Sequence, residues 1–171
     1  MGDLKQYGFV EQESGGYHST EYKDEYLKIL SENNVGYLGY NFPFNVADNC
    51  AFEMDVCVLG QVPTTNGFRA LISNGSDGSQ LAIRYNLNNG YCWLCTETMF
   101  NENRIADFPL DGNYHTIKAA LSPEYSNYWL DGVQVGENLP HSTNYVAKSW
   151  FLSQGVVGDV LIKSIKYKVG E

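Results

Sequence analysis

The stretch that decides the fold is Tyr114-His115-Thr116-Ile117-Lys118-Ala119-Ala120-Leu121, then a polar loop at Ser122 to Ser126, then Tyr128-Trp129-Leu130-Asp131-Gly132-Val133-Gln134-Val135. Apolar and polar residues alternate in both runs, the period of a strand with one buried face. Asp-Gly between such runs is a strong hairpin signal, because a tight primed turn needs positive φ, which glycine adopts without steric cost. The turn fixes the register, and the register fixes the faces. Ile117, Ala119 and Leu121 share a face with His115, while Tyr128 and Leu130 share a face and Trp129 points the other way, away from the core.

Working outward, Gly158-Asp159-Val160-Leu161-Ile162-Lys163-Ser164-Ile165-Lys166-Tyr167-Lys168-Val169 reads as a long closing strand. Ile165, Tyr167 and Val169 face inward and the lysines outward, where they blunt a sheet edge. Further strands are expected near Phe9 to Gln12, Tyr26 to Leu30, Gly36 to Phe42, Cys50 to Leu59, Gly67 to Ser73, Gln80 to Asn86, Tyr91 to Thr96, Asn103 to Phe108 and Ser149 to Leu152. The spacing predicts one more strand, from Asn127 to Val135. Turn clusters separate these runs, among them Ser14-Gly15-Gly16, Asn74-Gly75-Ser76-Asp77-Gly78, Asn88-Asn89-Gly90 and Asp111-Gly112. Thr20 to Ser31 reads either as a helical patch or as a loop feeding a strand.

These two segments resemble the laminin-G-like, or concanavalin A-like, jelly-roll domains. In that pattern an aromatic-His strand opening is followed by a short loop and a strand that closes on Asp-Gly, and an alternating strand ends the domain. Within the superfamily the chain is most similar in look to the lectin-like carbohydrate-binding modules of bacterial sialidases. The resemblance implies an antiparallel β-sandwich, but this fold hosts hydrolases, lectins and adhesion modules alike.

Length and composition agree with that fold. A chain of 171 residues fits one domain, and it buries roughly 70% of its extended-chain surface on folding. Seventeen Gly, thirteen Tyr and eight Phe favour strands joined by tight turns over helices. The net charge of −9 argues against a nucleic-acid partner, since phosphate binding needs clustered Lys and Arg. No apolar run approaches the roughly 18 residues of a membrane span, and Met1-Gly2-Asp3-Leu4-Lys5 lacks the apolar stretch of a secretory signal. The expectation is a module of a larger extracellular or cell-surface protein, fused to other domains.

Several constellations bear on function. Glu53 and Asp55 alternate with Phe52, Met54, Val56 and Val58, so the two carboxylates share the outward face. Laminarinase-like hydrolases of this superfamily place a third acid in the same strand, in the pattern Glu-x-Asp-x-(x)-Glu. Cys57 and Val58 stand at those positions here, so the proton donor to a leaving oxygen is missing. In Tyr91-Cys92-Trp93-Leu94-Cys95, burial of Cys92 and Leu94 turns Tyr91 and Trp93 outward, as parity turns Trp129. Exposed aromatic rings cover the apolar faces of pyranose sugars, although a single Trp equally serves to close a sandwich. Arg84 and Asn86 lie on the outward face of the strand before, where a guanidinium can fork to sugar hydroxyls or pair with an acid such as Glu97. Arg69 is a second cationic candidate. The sialidase-module resemblance implies an arginine on a sialic acid carboxylate, without assigning it a position.

The four cysteines, Cys50, Cys57, Cys92 and Cys95, include only one Cys-x-x-Cys pair, too few for a zinc knuckle. Free buried thiols are the plain reading, with a Cys57–Cys95 cross-strand disulfide as the alternative. His18, His115 and His141 are dispersed, and His115 has core parity. No cofactor is expected. The resemblance implies that structural calcium is common in the superfamily, and loops with Asp77, Asp111 and Asp159 supply oxygens, but acidic Gly-rich turns form hairpins without metal.

The expectation is therefore an all-β, antiparallel β-sandwich of concanavalin A-like jelly-roll type over residues 1–171, a non-catalytic carbohydrate-binding module. Its site would use Trp93, Trp129 and Tyr91 for stacking and Arg84, Asn86, Glu53 and Asp55 for polar contacts. A glycoside hydrolase or lyase on the same fold, and a structural or adhesion module of a surface or phage fibre protein, remain the alternatives. With an acidic chain and no basic cluster, the glycan is expected to be neutral. Screening lengths shrink from about 10 Å at 0.1 M salt to about 3 Å at 1 M, so binding of a neutral oligosaccharide should barely change over that range. A ligand set restricted to sialylated glycans, lost at high salt or on replacing Arg69 or Arg84, would overturn that expectation.

Overall fold

The computed structural model describes residue 6 and residues 10–14, 18–22, 27–31, 37–41, 50–59, 68–73, 80–86, 91–97, 102–122, 125–140, 149–154 and 158–169. Among the described residues there is no α-helix. The strands, in chain order, are β1 (Val10–Ser14), β2 (His18–Tyr22), β3 (Leu27–Ser31), β4 (Tyr37–Asn41), β5 (Cys50–Leu59), β6 (Phe68–Ser73) and β7 (Gln80–Asn86). They continue as β8 (Tyr91–Glu97), β9 (Glu102–Asp107), β10 (His115–Leu121), β11 (Tyr125–Leu130), β12 (Val133–Pro140), β13 (Ser149–Gln154) and β14 (Gly158–Val169). A seven-stranded sheet runs β12-β11-β10-β5-β14-β3-β2, a five-stranded sheet runs β13-β6-β7-β8-β9, and β1 pairs with β4. The pairings are antiparallel, and the chain is an antiparallel β-sandwich.

Strand β5 lies in the middle of the larger sheet, paired with β10 on one side and β14 on the other. Its inward residues Phe52, Met54 and Val56 are buried, and so are Ile117 and Ala119 of β10, Tyr128 of β11 and Ile162 of β14. Ile83, Cys92, Leu94 and Phe108 supply the buried side of the smaller sheet. Burying each large apolar side chain contributes about 1.5–3 kcal/mol, so strand parity is enforced by the core and not only by the turns. Two residues near the end of β5 depart from strict alternation. Val58, expected inward, is partly exposed, whereas Cys57 is fully buried. The partner strand β14 carries a register shift between Ile162 and Ser164 at this end, which inserts Lys163 and bends the local pleat.

The Asp131-Gly132 turn forms as the sequence predicts. Asp131 has φ 49° and Gly132 φ 79°, the two positive values of a primed turn. Asp131 N donates to Thr116 O at 2.8 Å, and Asp131 Oδ1 accepts from Thr116 N at 2.8 Å. The carboxylate thus does for the neighbouring strand what a ladder carbonyl would otherwise do. The run expected from Asn127 to Val135 is two strands, since β11 ends at Leu130 and β12 begins after the turn. Beyond it, Gly136 packs under the Tyr128 ring, where an added Cβ would meet ring carbon Cδ2 at 3.1 Å and Leu139 Cδ1 at 3.0 Å.

The helical alternative for Thr20 to Ser31 does not hold. His18–Tyr22 and Leu27–Ser31 are antiparallel strands, and β3 is also tied to β14, so hydrogen bonds to an existing sheet override any local helical preference. The Ser14-Gly15-Gly16, Asn74 to Gly78 and Asn88 to Gly90 turns lie wholly or largely outside the described residues. A Gly132→Ala substitution should destabilise the fold by about 1–2 kcal/mol through backbone strain alone, because nothing lies within 4 Å of an added Cβ. Urea unfolding checks this, and a midpoint equal to that of the parent chain would refute it.

Candidate functional site

The outer face of the seven-stranded sheet carries a row of polar residues around one aromatic ring. In register across the strands, Gln134 stands beside Trp129, Trp129 beside Lys118, Lys118 beside Glu53, and Glu53 beside Lys166. Trp129 is partly exposed and turned away from buried Tyr128, as parity predicts. Lys118 Nζ lies 4.9 Å from the Trp129 ring centroid, a cation–π contact that fixes the indole and leaves an ammonium beside it. Lys166 Nζ donates to Glu53 Oε1 at 2.8 Å. The next row holds Asp55, which accepts from Thr116 Oγ1 at 2.6 Å and Ser164 Oγ at 2.7 Å. Partial burial works to raise the Asp55 pKa, but those two hydroxyl donors, and then Lys166 and Lys163, outweigh it and hold the carboxyl below its usual value.

Two more residues belong to this face, Asn127 within the predicted strand and Tyr125 in the stretch predicted as a polar loop. Tyr125 opens β11 and is 40% exposed. Ser122 N donates to Tyr125 O at 2.9 Å and Tyr125 N donates to Ser122 Oγ at 3.2 Å, so a tight turn starts the strand earlier than expected. Asn127 lies between Tyr125 and Trp129 on the same face, and its Oδ1 accepts from Asn138 N at 2.8 Å. A register count back from Trp129 in steps of two would have found both.

The seven residues proposed from sequence therefore divide. Glu53, Asp55 and Trp129 share the outer face of the larger sheet. Trp93, Tyr91, Arg84 and Asn86 lie on β7 and β8 of the smaller sheet, with Arg84 opposite Trp93 and Asn86 opposite Tyr91 in register. Trp93 alternates with buried Cys92 and Leu94, so it stands on the outer face of that sheet. The Arg104 guanidinium lies 5.9 Å from the Trp93 ring centroid and pairs with Asp107. The two tryptophans thus belong to different sheets and build no common platform.

A third cluster lies at the Asp131-Gly132 end. His115 Nδ1 meets Asp131 Oδ2 at 2.7 Å, and Nε2 meets Asp111 Oδ1 at 3.0 Å. Asp111 also accepts from Asn113 N and Nδ2, each at 2.9 Å. The Phe108 ring packs edge-on against the imidazole at 5.5 Å. Burial of the ring acts to lower its pKa, but the hydrogen bonds and charges of Asp131 and Asp111 outweigh it and raise His115 above the usual imidazole value. Hydrogen bonds from Asn113 and His115 hold the Asp111 carboxyl well below the usual carboxylate range. With a carboxylate against each ring nitrogen, the protonated imidazole donates to both and clasps two loops to β10.

Cys57, Cys92 and Cys95 are buried thiols outside any disulfide. Cys57 and Cys95 belong to different sheets, which removes the cross-strand disulfide. Burial pushes the Cys92 thiol up to about 12, and burial followed by the charge of Asp111 raises Cys57. Among the described residues no group of three or more His, Cys, Asp or Glu side chains is placed to hold a metal. Asp111 has both oxygens hydrogen-bonded, Asp159 lies within β14, and Asp77 falls outside the described residues. No helix among the described residues is long and apolar enough to cross a membrane.

No family model and no curated protein matches the sequence. Solved structures do match its fold. A sialidase aligns with a TM-score of 0.70 at 11% identity, over 94% of this chain and 17% of that chain, so this chain spans under a fifth of the sialidase's length. The carbohydrate-binding module CBM66 from Bacillus subtilis aligns with a TM-score of 0.62 at 10% identity, over 92% of this chain and 94% of that one. The alginate lyase AlyC3 aligns with a TM-score of 0.61 at 11% identity, over 90% and 78%. The chain has the lectin-like jelly-roll fold.

The His115 clasp makes stability depend on pH in a defined direction. A raised histidine pKa contributes stability that is complete below about 6.5 and is lost as pH rises through the folded value, while the lowered Asp111 pKa contributes stability that is complete above about 3.9 and is lost as pH falls. The clasp is therefore strongest between about pH 4 and 6.5. The urea midpoint should fall from pH 5.5 to pH 8.5 and fall less in an Asp131→Asn variant, with equal falls in the two proteins counting against the clasp.

Proposed function

We propose that the chain is a non-catalytic carbohydrate-binding module that holds a neutral sugar on the outer face of the seven-stranded sheet. The observation that carries this reading is the row Gln134, Trp129, Lys118, Glu53, Lys166, in which one fixed aromatic ring is set among hydrogen-bonding groups on well-paired strands. A pyranose presents a flat face of C–H groups and a rim of hydroxyls. The indole covers the first, and the amide, ammonium and carboxylate groups of the row accept from and donate to the second. The charges of the row are already engaged, Lys166 by Glu53 and Lys118 by the Trp129 ring, which favours a ligand without charge of its own.

The carboxylates support a binding role over a catalytic one. A general acid must keep its proton near neutral pH, whereas Asp55 is held below its usual pKa by two hydroxyl donors, and Glu53 is ion-paired with Lys166. The size match to CBM66 and the short share of the sialidase that is covered support a module carried by a larger protein, and a glycan ligand fits an extracellular or surface setting.

A glycan array on the isolated domain, followed by calorimetry on the hits, tests the reading. Trp129→Ala should weaken sugar binding by about 1–2 kcal/mol while leaving the melting temperature nearly unchanged, whereas Tyr128→Ala in the core should cost about 3–5 kcal/mol of stability. A large loss of stability in the Trp129 variant would make that residue part of the core. Cleavage of β-glucan that vanishes in a Glu53→Gln variant would overturn the non-catalytic assignment.

A further inference from the structure

Strand β11 places Tyr125, Asn127 and Trp129 at alternate positions on one face, and β10 pairs with it in unbroken register from Ser126 to Leu130. Four residues at a rise of 3.3–3.4 Å separate the Tyr125 and Trp129 positions by about 13 Å, too far for both rings to stack on one sugar unit. Each position is anchored. The Ser122 turn holds the Tyr125 backbone, and Lys118 holds the Trp129 indole. Asn127 Oδ1 is committed to Asn138 N, which directs the amide NH2 group away from that bond as a donor.

Ala120 stands across from Asn127, and Ala51 across from Ala120, so a row of small side chains floors the sheet between the level of Tyr125 and that of Trp129 and Lys118. Past Trp129 the strand runs into the Asp131-Gly132 turn and Val133, which is 65% exposed. Two ring positions about 13 Å apart on one strand suit a ligand of several linked units, long enough to reach both.

We infer that the ligand is a linear oligosaccharide or polysaccharide, laid lengthwise along β11 with one unit on Trp129, a more distant unit on Tyr125 and the unit between them hydrogen-bonded to Asn127. This rests on the glycan-binding reading above and goes beyond it in naming a ligand of several linked units. Recognition is then cumulative along the strand. Tyr125 contributes nothing to a disaccharide seated on Trp129 and contributes to any ligand long enough to reach it.

Calorimetry with the full chain and linear gluco-, manno-, xylo- and uronic acid oligosaccharides, each as disaccharide, tetrasaccharide and hexasaccharide, tests the inference. For the series that binds, affinity should rise roughly tenfold from disaccharide to hexasaccharide. Tyr125→Ala should abolish that gain and leave the disaccharide unchanged, Tyr125→Phe should keep it, and Trp129→Ala should weaken every length. Urea midpoints of the variants confirm that the fold is intact. Equal affinity at all lengths, or a hexasaccharide indifferent to Tyr125→Ala but weakened by Trp129→Ala, overturns the lengthwise ligand and leaves the Trp129 platform standing. If no member of the four series binds, the glycan-binding reading itself fails.

Discussion

Everything on the larger sheet follows from the two-sided pairing of β5. A ten-residue strand hydrogen-bonded along both edges cannot slip by one residue without turning Phe52, Met54 and Val56 out into water and Glu53 and Asp55 into the core. Each of those reversals is costly, the first through lost apolar burial and the second through charge desolvation. The register of β10 and β14 is set against this strand, and that of β11 against β10. The outer row from Gln134 to Lys166 is therefore a by-product of core packing: the same alternation that fills the interior lines up its polar partners outside.

The hairpin logic was legible because its signals are local. Alternation in Tyr114 to Leu121 and the Asp131-Gly132 pair define faces without knowledge of any other strand, and the structure returns Ile117 and Ala119 buried, Tyr128 buried and Trp129 outward. The boundaries of β5 and β7 were legible for a similar reason, since each apolar-rich run is bracketed by turn residues. Tyr125 was not, because Ser122 and Pro123 precede it and a serine turn that starts a strand looks, in one dimension, like a loop.

What alternation cannot supply is which strands become neighbours. Trp93 and Trp129 carry the same outward parity, and in sequence they look like members of one platform. The topology sends β8 to the five-stranded sheet and β11 to the seven-stranded sheet, so the same parity leads to separate faces. The clasp on His115 was hidden by the same limit, since Asp131 lies sixteen residues away and reaches the ring only because the turn folds back onto β10. Core parity was right for the histidine; its two carboxylate partners needed three dimensions.

The far edge of this sheet has a consequence for association. An open strand edge is a template on which another chain can add itself. Strand β12 resists being copied. Its pairing with β11 is irregular at two places, Asn138 has its backbone turned to a φ of 49°, Glu137 is exposed, and Pro140 has no amide hydrogen to offer. An incoming strand finds no continuous run of evenly spaced donors and acceptors there. The bulge that positions Asn127 thus also leaves the edge beside it unsuited to fibre growth.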